Sequence, residues 1–340
     1  MDTSPAGRIF PDGPLTAELR VEVEPPWPFR LGGGSADGLM RRRGASLQRL
    51  LHLGGERVHV GIVQPAPGRV LFAARARTEE AAGEGIARMR FATGVDDDLR
   101  PFYDRFKSDP LIGRAVRANP RLRVRRRPLP WEALLAAVTE QLIEFERAVA
   151  IQRRMIAVLG VRCAQSGLRD GPSAAAVAAE APARLASFDL APKRAIALRR
   201  VAVEVAAGRA DLDAAMGAAA GTRLAEAAAR RLLKITDIGP WTVEILALHG
   251  FGRHDVIAAG DLGFIKMVGR LTTGHPKARA EVADVREFFT PYREWKGLAG
   301  EYLRYGWASG LVTADRIRPG PAPRPPGTRW SAPVPRSAAA

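Results

Sequence analysis

Apolar and polar residues alternate in the first quarter of this chain, and helical spacing replaces the alternation afterwards. Residues 15–24 (Leu-Thr-Ala-Glu-Leu-Arg-Val-Glu-Val-Glu) have the period of a half-buried strand, which Pro25-Pro26-Trp27-Pro28 ends. Residues 57–63 and 69–74 read as two more strands around the turn signal Pro65-Ala66-Pro67-Gly68. Residues 78–92 have helical spacing and stop before Thr93-Gly94. The pattern predicts an α+β fold that opens with a small antiparallel-sheet domain, residues 1–95. From Asp97 onward the strand pattern vanishes. Trp131, Leu134, Leu135, Val138 and Leu142 recur at helical spacing and predict one long amphipathic helix reaching about Leu159. Further helices are expected over 174–179, 191–205 (with Pro192 at its first turn), 224–233, 241–249, 262–271 and 295–309. A helical domain over 97–315 follows, and the Pro-, Ala- and Arg-rich stretch 316–340 is expected to be disordered.

Composition narrows the partners. The 340 residues carry 52 Lys+Arg against 36 Asp+Glu, a net charge of +16, which favours a polyanion. Only six of the 52 are Lys, so the same excess is also what a GC-rich genome would write. Cys163 is the single cysteine, which excludes an internal disulfide framework and any Cys-ligated zinc or iron–sulfur cluster. No basic-then-apolar leader and no apolar run near the roughly 20 residues of a membrane span is present, so a cytoplasmic, nucleoid-associated protein is expected.

The chemistry concentrates in residues 232–266. Two helical stretches flank Asp237-Ile238-Gly239-Pro240-Trp241-Thr242, and Gly260-Asp261-Leu262-Gly263 follows, with Asp261 placed 22 positions after Gly239. A Gly-bearing hairpin of this kind presents backbone N–H groups to an anion, a means of holding a DNA phosphate. The segment resembles the helix-hairpin-helix DNA glycosylases, and among them the 3-methyladenine DNA glycosylase II (AlkA) type. The matching pieces are Leu233, Ile238 to Thr242, Asp255-Val256 and Gly260 to Gly263.

The resemblance implies a monofunctional base-excision repair enzyme that flips an alkylated purine out of damaged double-stranded DNA and hydrolyses its glycosidic bond. It places Asp261 as the catalytic carboxylate, beside the sugar on which positive charge develops. Asp261 is equally a candidate N-cap of the helix that starts at Leu262, and the two roles are compatible. Residues 237–242 become the DNA-binding hairpin. Relatives that also cut the strand carry a Schiff-base Lys where this chain has Trp241. Glu140-Gln141-Leu142-Ile143 takes the place of the family's Gly-Gln-Leu-like wedge motif, which makes Gln141 and Leu142 DNA contacts, although periodicity puts Leu142 on the core stripe. Trp241, Tyr292, Trp295 and Tyr302 are candidates for an aromatic pocket around a cationic base. A monomer is expected, with no cofactor beyond a possible monovalent cation at the hairpin.

The chain also departs from the family. Asp237 stands where the hairpin's first glycine is usual, Glu140 replaces a small residue, and Ile257-Ala258 replaces an aromatic-Pro pair. Asp255 matches a family position but reads as a structural cap. Pro291-Tyr292-Arg293-Glu294-Trp295 keeps only Pro291 and Arg293 of a family string. The clusters Arg41–Arg43 and Arg125–Arg127 can meet phosphates or simply be solvated. These departures leave open a helix-hairpin-helix DNA-binding protein with weak or lost catalysis, or a glycosylase for another damaged base.

Overall fold

A computed structural model describes residues 17–216 and 218–314. The expected disordered tail, like residues 15 and 16 of the first strand, lies outside them.

Five antiparallel strands form one sheet in the order β1-β5-β4-β3-β2: β1 Ala17–Val23, β2 Met40–Arg43, β3 Ser46–Leu53, β4 Glu56–Ala66 and β5 Arg69–Ala76. Helix α1, Glu79–Thr93, covers one face and ends in a left-handed Gly94 cap. Its contact is close: a Cβ on Gly85 would meet Val58 at 2.5 Å. Strand β3 escaped the alternation pattern because both of its faces are covered. Leu47 and Leu51 join the core under α1, while Leu50 packs on Cys163 and Leu168 of the helical body. Arg49, on the same strand, donates to Glu132 and, at 2.8 Å, to Asp170. This buried ion group ties the sheet to the helices around the cleft. The Arg41–Arg43 cluster makes the edge strand β2, in register with Ser46–Arg49.

The helical body contains α2 Arg100–Phe106, α3 Gly113–Ala118, α4 Pro130–Glu140, α5 Phe145–Leu159, α6 Ala174–Ala179, α7 Pro182–Ala186 and α8 Pro192–Ala206. It continues with α9 Ala218–Leu232, α10 Pro240–Ile245, α11 Leu262–Thr273, α12 Val282–Phe288 and α13 Lys296–Ala308. A π-helical turn, Leu246–Gly250, extends α10, and a 3-10 segment, Thr290–Trp295, precedes α13. Two apolar cores result. One gathers α4, α5, α8 and the hairpin residue Ile238; the other gathers α2, α3, α11 and α13. Helix α4 is buried from Pro130 to Thr139.

The single long helix expected from Trp131 to Leu159 is in fact two, α4 and α5. The break falls at Gln141, whose ψ of 123° leaves the helix, and at Leu142, whose φ is +56°. Periodicity misses it because the apolar stripe resumes in nearly the same phase in α5. Among the described residues no helix is long and apolar enough to cross a membrane.

Candidate active site

The hairpin begins where α9 stops at Leu232. Ile238 anchors it, being 5% exposed in the core with Leu232, Leu198 and Leu246. On either side of that anchor the chain faces outward. Asp237 adopts φ +69°, the left-handed conformation in which glycine is usual, so the turn forms with Asp in the glycine's place. Its carboxylate accepts no hydrogen bond among the described residues. Gly239 has an ordinary φ of −110° and caps α10, yet a Cβ there would meet nothing within 4 Å. Neither conformation nor internal packing demands glycine at that position. The backbone at Gly239 is thus open to close approach from outside.

The loop that breaks the α4 stripe reaches the same hairpin. Gln141 Nε2 donates to the Asp237 carbonyl at 3.0 Å and to Thr242 Oγ1 at 2.9 Å. Leu142 is 98% exposed, so the core role that periodicity gave it is corrected. Phe145, at the start of α5, is also largely exposed. A bare leucine held in a left-handed conformation has no packing reason for its shape.

Asp261 follows Gly260, which lies beside the hairpin. A Cβ on Gly260 would sit 3.5 Å from Trp241 Cβ, so the hairpin tryptophan packs on the segment that delivers the aspartate. Asp261 Oδ1 accepts from the Gly263 N–H at 2.7 Å and pairs with Arg304 at 3.0 Å. The Arg304 guanidinium in turn lies over the Phe264 ring at 4.2 Å. Asp261 is thus an N-cap held by two contacts, both to Oδ1, and Oδ2 has no partner among the described residues. Asp255 is engaged by Arg253 at 2.6 Å, and those hydrogen bonds hold its carboxyl below the usual range, as a structural ion pair requires. Ile257 and Ala258, in place of the aromatic-Pro pair, are buried behind the site.

The aromatic pocket expected from sequence does not assemble. Tyr302 is 1% exposed, stacks on Phe102 at 5.2 Å and donates its hydroxyl to the Asn119 carbonyl at 2.9 Å. Tyr292 is 4% exposed among Phe106 and Phe289. Burial raises both phenols, Asp109 adding to the effect at Tyr292. These two are core residues, and their assignment to the pocket is corrected: rings of this size are needed to fill the space between α2, α3 and α13. Trp295 is half-buried and edge-on to Phe102 and His254, 5.7 Å from each, so it joins the same cluster. Trp241, by contrast, lies beside the segment bearing Asp261.

Sequence reasoning missed the cavity that is present. A cleft of about 1150 Å³ opens between the sheet and the helices. Its walls include the Gly32–Gly34 run, Arg125, Arg127, Glu140, Gln152 and His249. Burial pushes the Glu140 carboxyl up. Gln152, Arg127 and His249 oppose the rise, and the charge of Asp261 adds to it. The signal available beforehand was Glu140 itself, an acid where the motif has a small residue.

No family model matches the chain. Among curated proteins it is 26% identical over 211 residues to the DNA-3-methyladenine glycosylase of Bacillus subtilis, covering 62% of this chain and 67% of that protein. It is 25% identical over 296 residues to a Mycobacterium tuberculosis protein described as a probable bifunctional transcriptional activator/DNA repair enzyme AlkA. That alignment takes in 85% of this chain and 56% of the relative, so the chain spans little more than half of the mycobacterial protein. Among solved structures, a 3-methyladenine DNA-glycosylase from Archaeoglobus fulgidus superposes with a TM-score of 0.67 at 18% identity, over 86% of this chain and all of that one. The Clostridium acetobutylicum 8-oxoguanine glycosylase/lyase bound to double-stranded DNA gives 0.63 at 15% identity, over 86% and 99%. These superpositions establish the fold.

Two substitutions test the interface. Leu142→Gly relieves a left-handed leucine and should raise stability by about 1 kcal/mol, while excision from duplex DNA falls at least about tenfold. Thermal melts and base-release assays read the two effects; a destabilised variant would return Leu142 to the core. Asp237→Gly removes an unpaired carboxylate and eases the same strain. Affinity for DNA should rise roughly two- to fivefold at low salt, and the gain should shrink as salt screens it. Unchanged affinity in fluorescence-anisotropy titrations would argue against phosphate contact at this hairpin.

Proposed function

We infer, from the chain's place among the helix-hairpin-helix DNA glycosylases of the 3-methyladenine DNA glycosylase II (AlkA) type, that it hydrolyses the N-glycosidic bond of alkylated purines in double-stranded DNA and leaves an abasic site. DNA is its partner. The observation that carries the reading is the joining of three parts: the hairpin, the exposed Leu142 and Asp261 meet through Gln141 and Trp241.

The steps follow from those parts. The Gly239 turn approaches a phosphate and fixes the register of the duplex. Leu142 enters the stack and fills the gap left when the damaged nucleotide rotates out. An alkylated purine is cationic, so it departs with the bonding electron pair and needs little help. Positive charge builds on the deoxyribose, and Asp261 Oδ2 stabilises it and orients the water that attacks the anomeric carbon. Arg304 and the Gly263 N–H hold the other oxygen, so the carboxylate is preorganised rather than mobile. Trp241 has no amine for a Schiff base, so water is the nucleophile and the strand stays intact. The reading requires no cofactor and a single copy of the chain.

Asp261→Asn should lower release of methylated purines from methylated duplex DNA by at least about two orders of magnitude, read by chromatography, with DNA binding kept or tightened. If neither wild type nor mutant releases bases although both bind DNA, the chain is a binding protein that has lost catalysis. Product strands should remain uncut until treated with alkali. Trapping of a protein–DNA adduct by borohydride during turnover would contradict the monofunctional reading.

A further inference from the structure

Asp261 stabilises the charge on the sugar but supplies no proton to a neutral base, whose departure as an anion is costly. The cleft holds a second acid suited to that task. Glu140 ends α4, directly before Gln141 and Leu142, and lines the cleft between the sheet and the helices. One of its oxygens, Oε1, accepts from Gln152 Nε2 at 3.2 Å, and Gln152 Nε2 also donates to Thr139 Oγ1 at 3.0 Å. The side chain is therefore positioned from α5 rather than free to swing into water.

Resting on the glycosylase reading above, we propose that Glu140 is the proton donor to the departing base, which lets this site release neutral as well as cationic bases. The groups that act on it most are Gln152 on α5, which bonds it directly, and the charges of Arg127 on the segment before α4, His249 on the π-helical turn and Asp261 at the start of α11. Burial and Asp261 favour its protonated form, while Arg127, His249 and Gln152 limit that effect. On this assignment the work is divided between the carboxyl paired with Arg304, which serves as base, and the desolvated carboxyl of Glu140, which serves as acid. In the step, the glycosidic bond breaks and its electron pair goes to the purine. The Glu140 proton passes to a ring nitrogen of that purine, water bonds to the anomeric carbon, and its proton goes to Asp261. Solvent then restores both groups.

The test uses the full chain on duplex DNA carrying either 1,N6-ethenoadenine, a neutral base, or 3-methyladenine, a cationic one. Single-turnover release is followed from about pH 5 to pH 8. Wild type should release the neutral base through a limb that falls as pH rises and Glu140 loses its proton; the cationic base should lack that limb. Glu140→Gln should lower neutral release roughly 100-fold, far more than cationic release, and erase the limb, while Glu140→Asp restores part of it. The wild-type profiles decide the matter even if a variant fails to fold. Release of the cationic base alone, identical pH profiles, or an equal fall for both bases in Glu140→Gln would overturn the assignment and leave the glycosylase reading intact. Release of neither base by wild type would overturn both.

Discussion

The site depends on one side chain, Gln141, which spans two loops far apart in sequence. Its amide nitrogen donates both to the Asp237 carbonyl and to the Thr242 hydroxyl, so the loop bearing Leu142 and the hairpin bearing Gly239 cannot move independently. Under the proposed function, a phosphate held at the hairpin fixes where the wedge enters the duplex. The packing of Trp241 on Gly260 carries the same frame to Asp261. Contact, intrusion and chemistry are thereby set at fixed spacing, which is what attack on a single extruded nucleotide requires.

Strain is concentrated at the same place. Four non-glycine residues adopt positive φ among the described residues, and two of them, Leu142 and Asp237, are the ends that the Gln141 bridge draws together. Each costs on the order of 1 kcal/mol or more, and neither repays it with internal packing or a side-chain bond. Such expense fits positions whose geometry serves an external partner. The buried Arg49–Glu132–Asp170 group has the opposite character. It holds the sheet against the helices and so keeps open the cleft onto which Glu140 faces.

The hairpin and Asp261 were legible in the sequence because each is a local feature: a turn, a cap and a short motif lie within one run of residues. The antiparallel sheet was legible wherever one face meets water, as in β1 and β5, and hidden in β3, where Leu50 and Leu51 are covered on opposite sides. The break between α4 and α5 was invisible to periodicity because apolar residues continue through it. The aromatic pocket misled for a physical reason. Tyr292 and Tyr302 have the composition of a cation-binding box, but their place is set by the space between three helices, which no local pattern records. The cleft that is present draws its walls from the sheet, from α4 and α5, and from the π-helical turn, so only the folded chain displays it.

The most direct test of this account is whether the Gln141 bridge couples wedge to hairpin. In Gln141→Leu, both Leu142 and Gly239 remain, and only the two hydrogen bonds are lost. Base extrusion can be followed by the fluorescence of 2-aminopurine placed beside a damaged base. The account predicts that the fluorescence rise on binding is largely lost in this variant, while affinity for undamaged DNA falls only modestly. A rise equal to that of the wild type would contradict it.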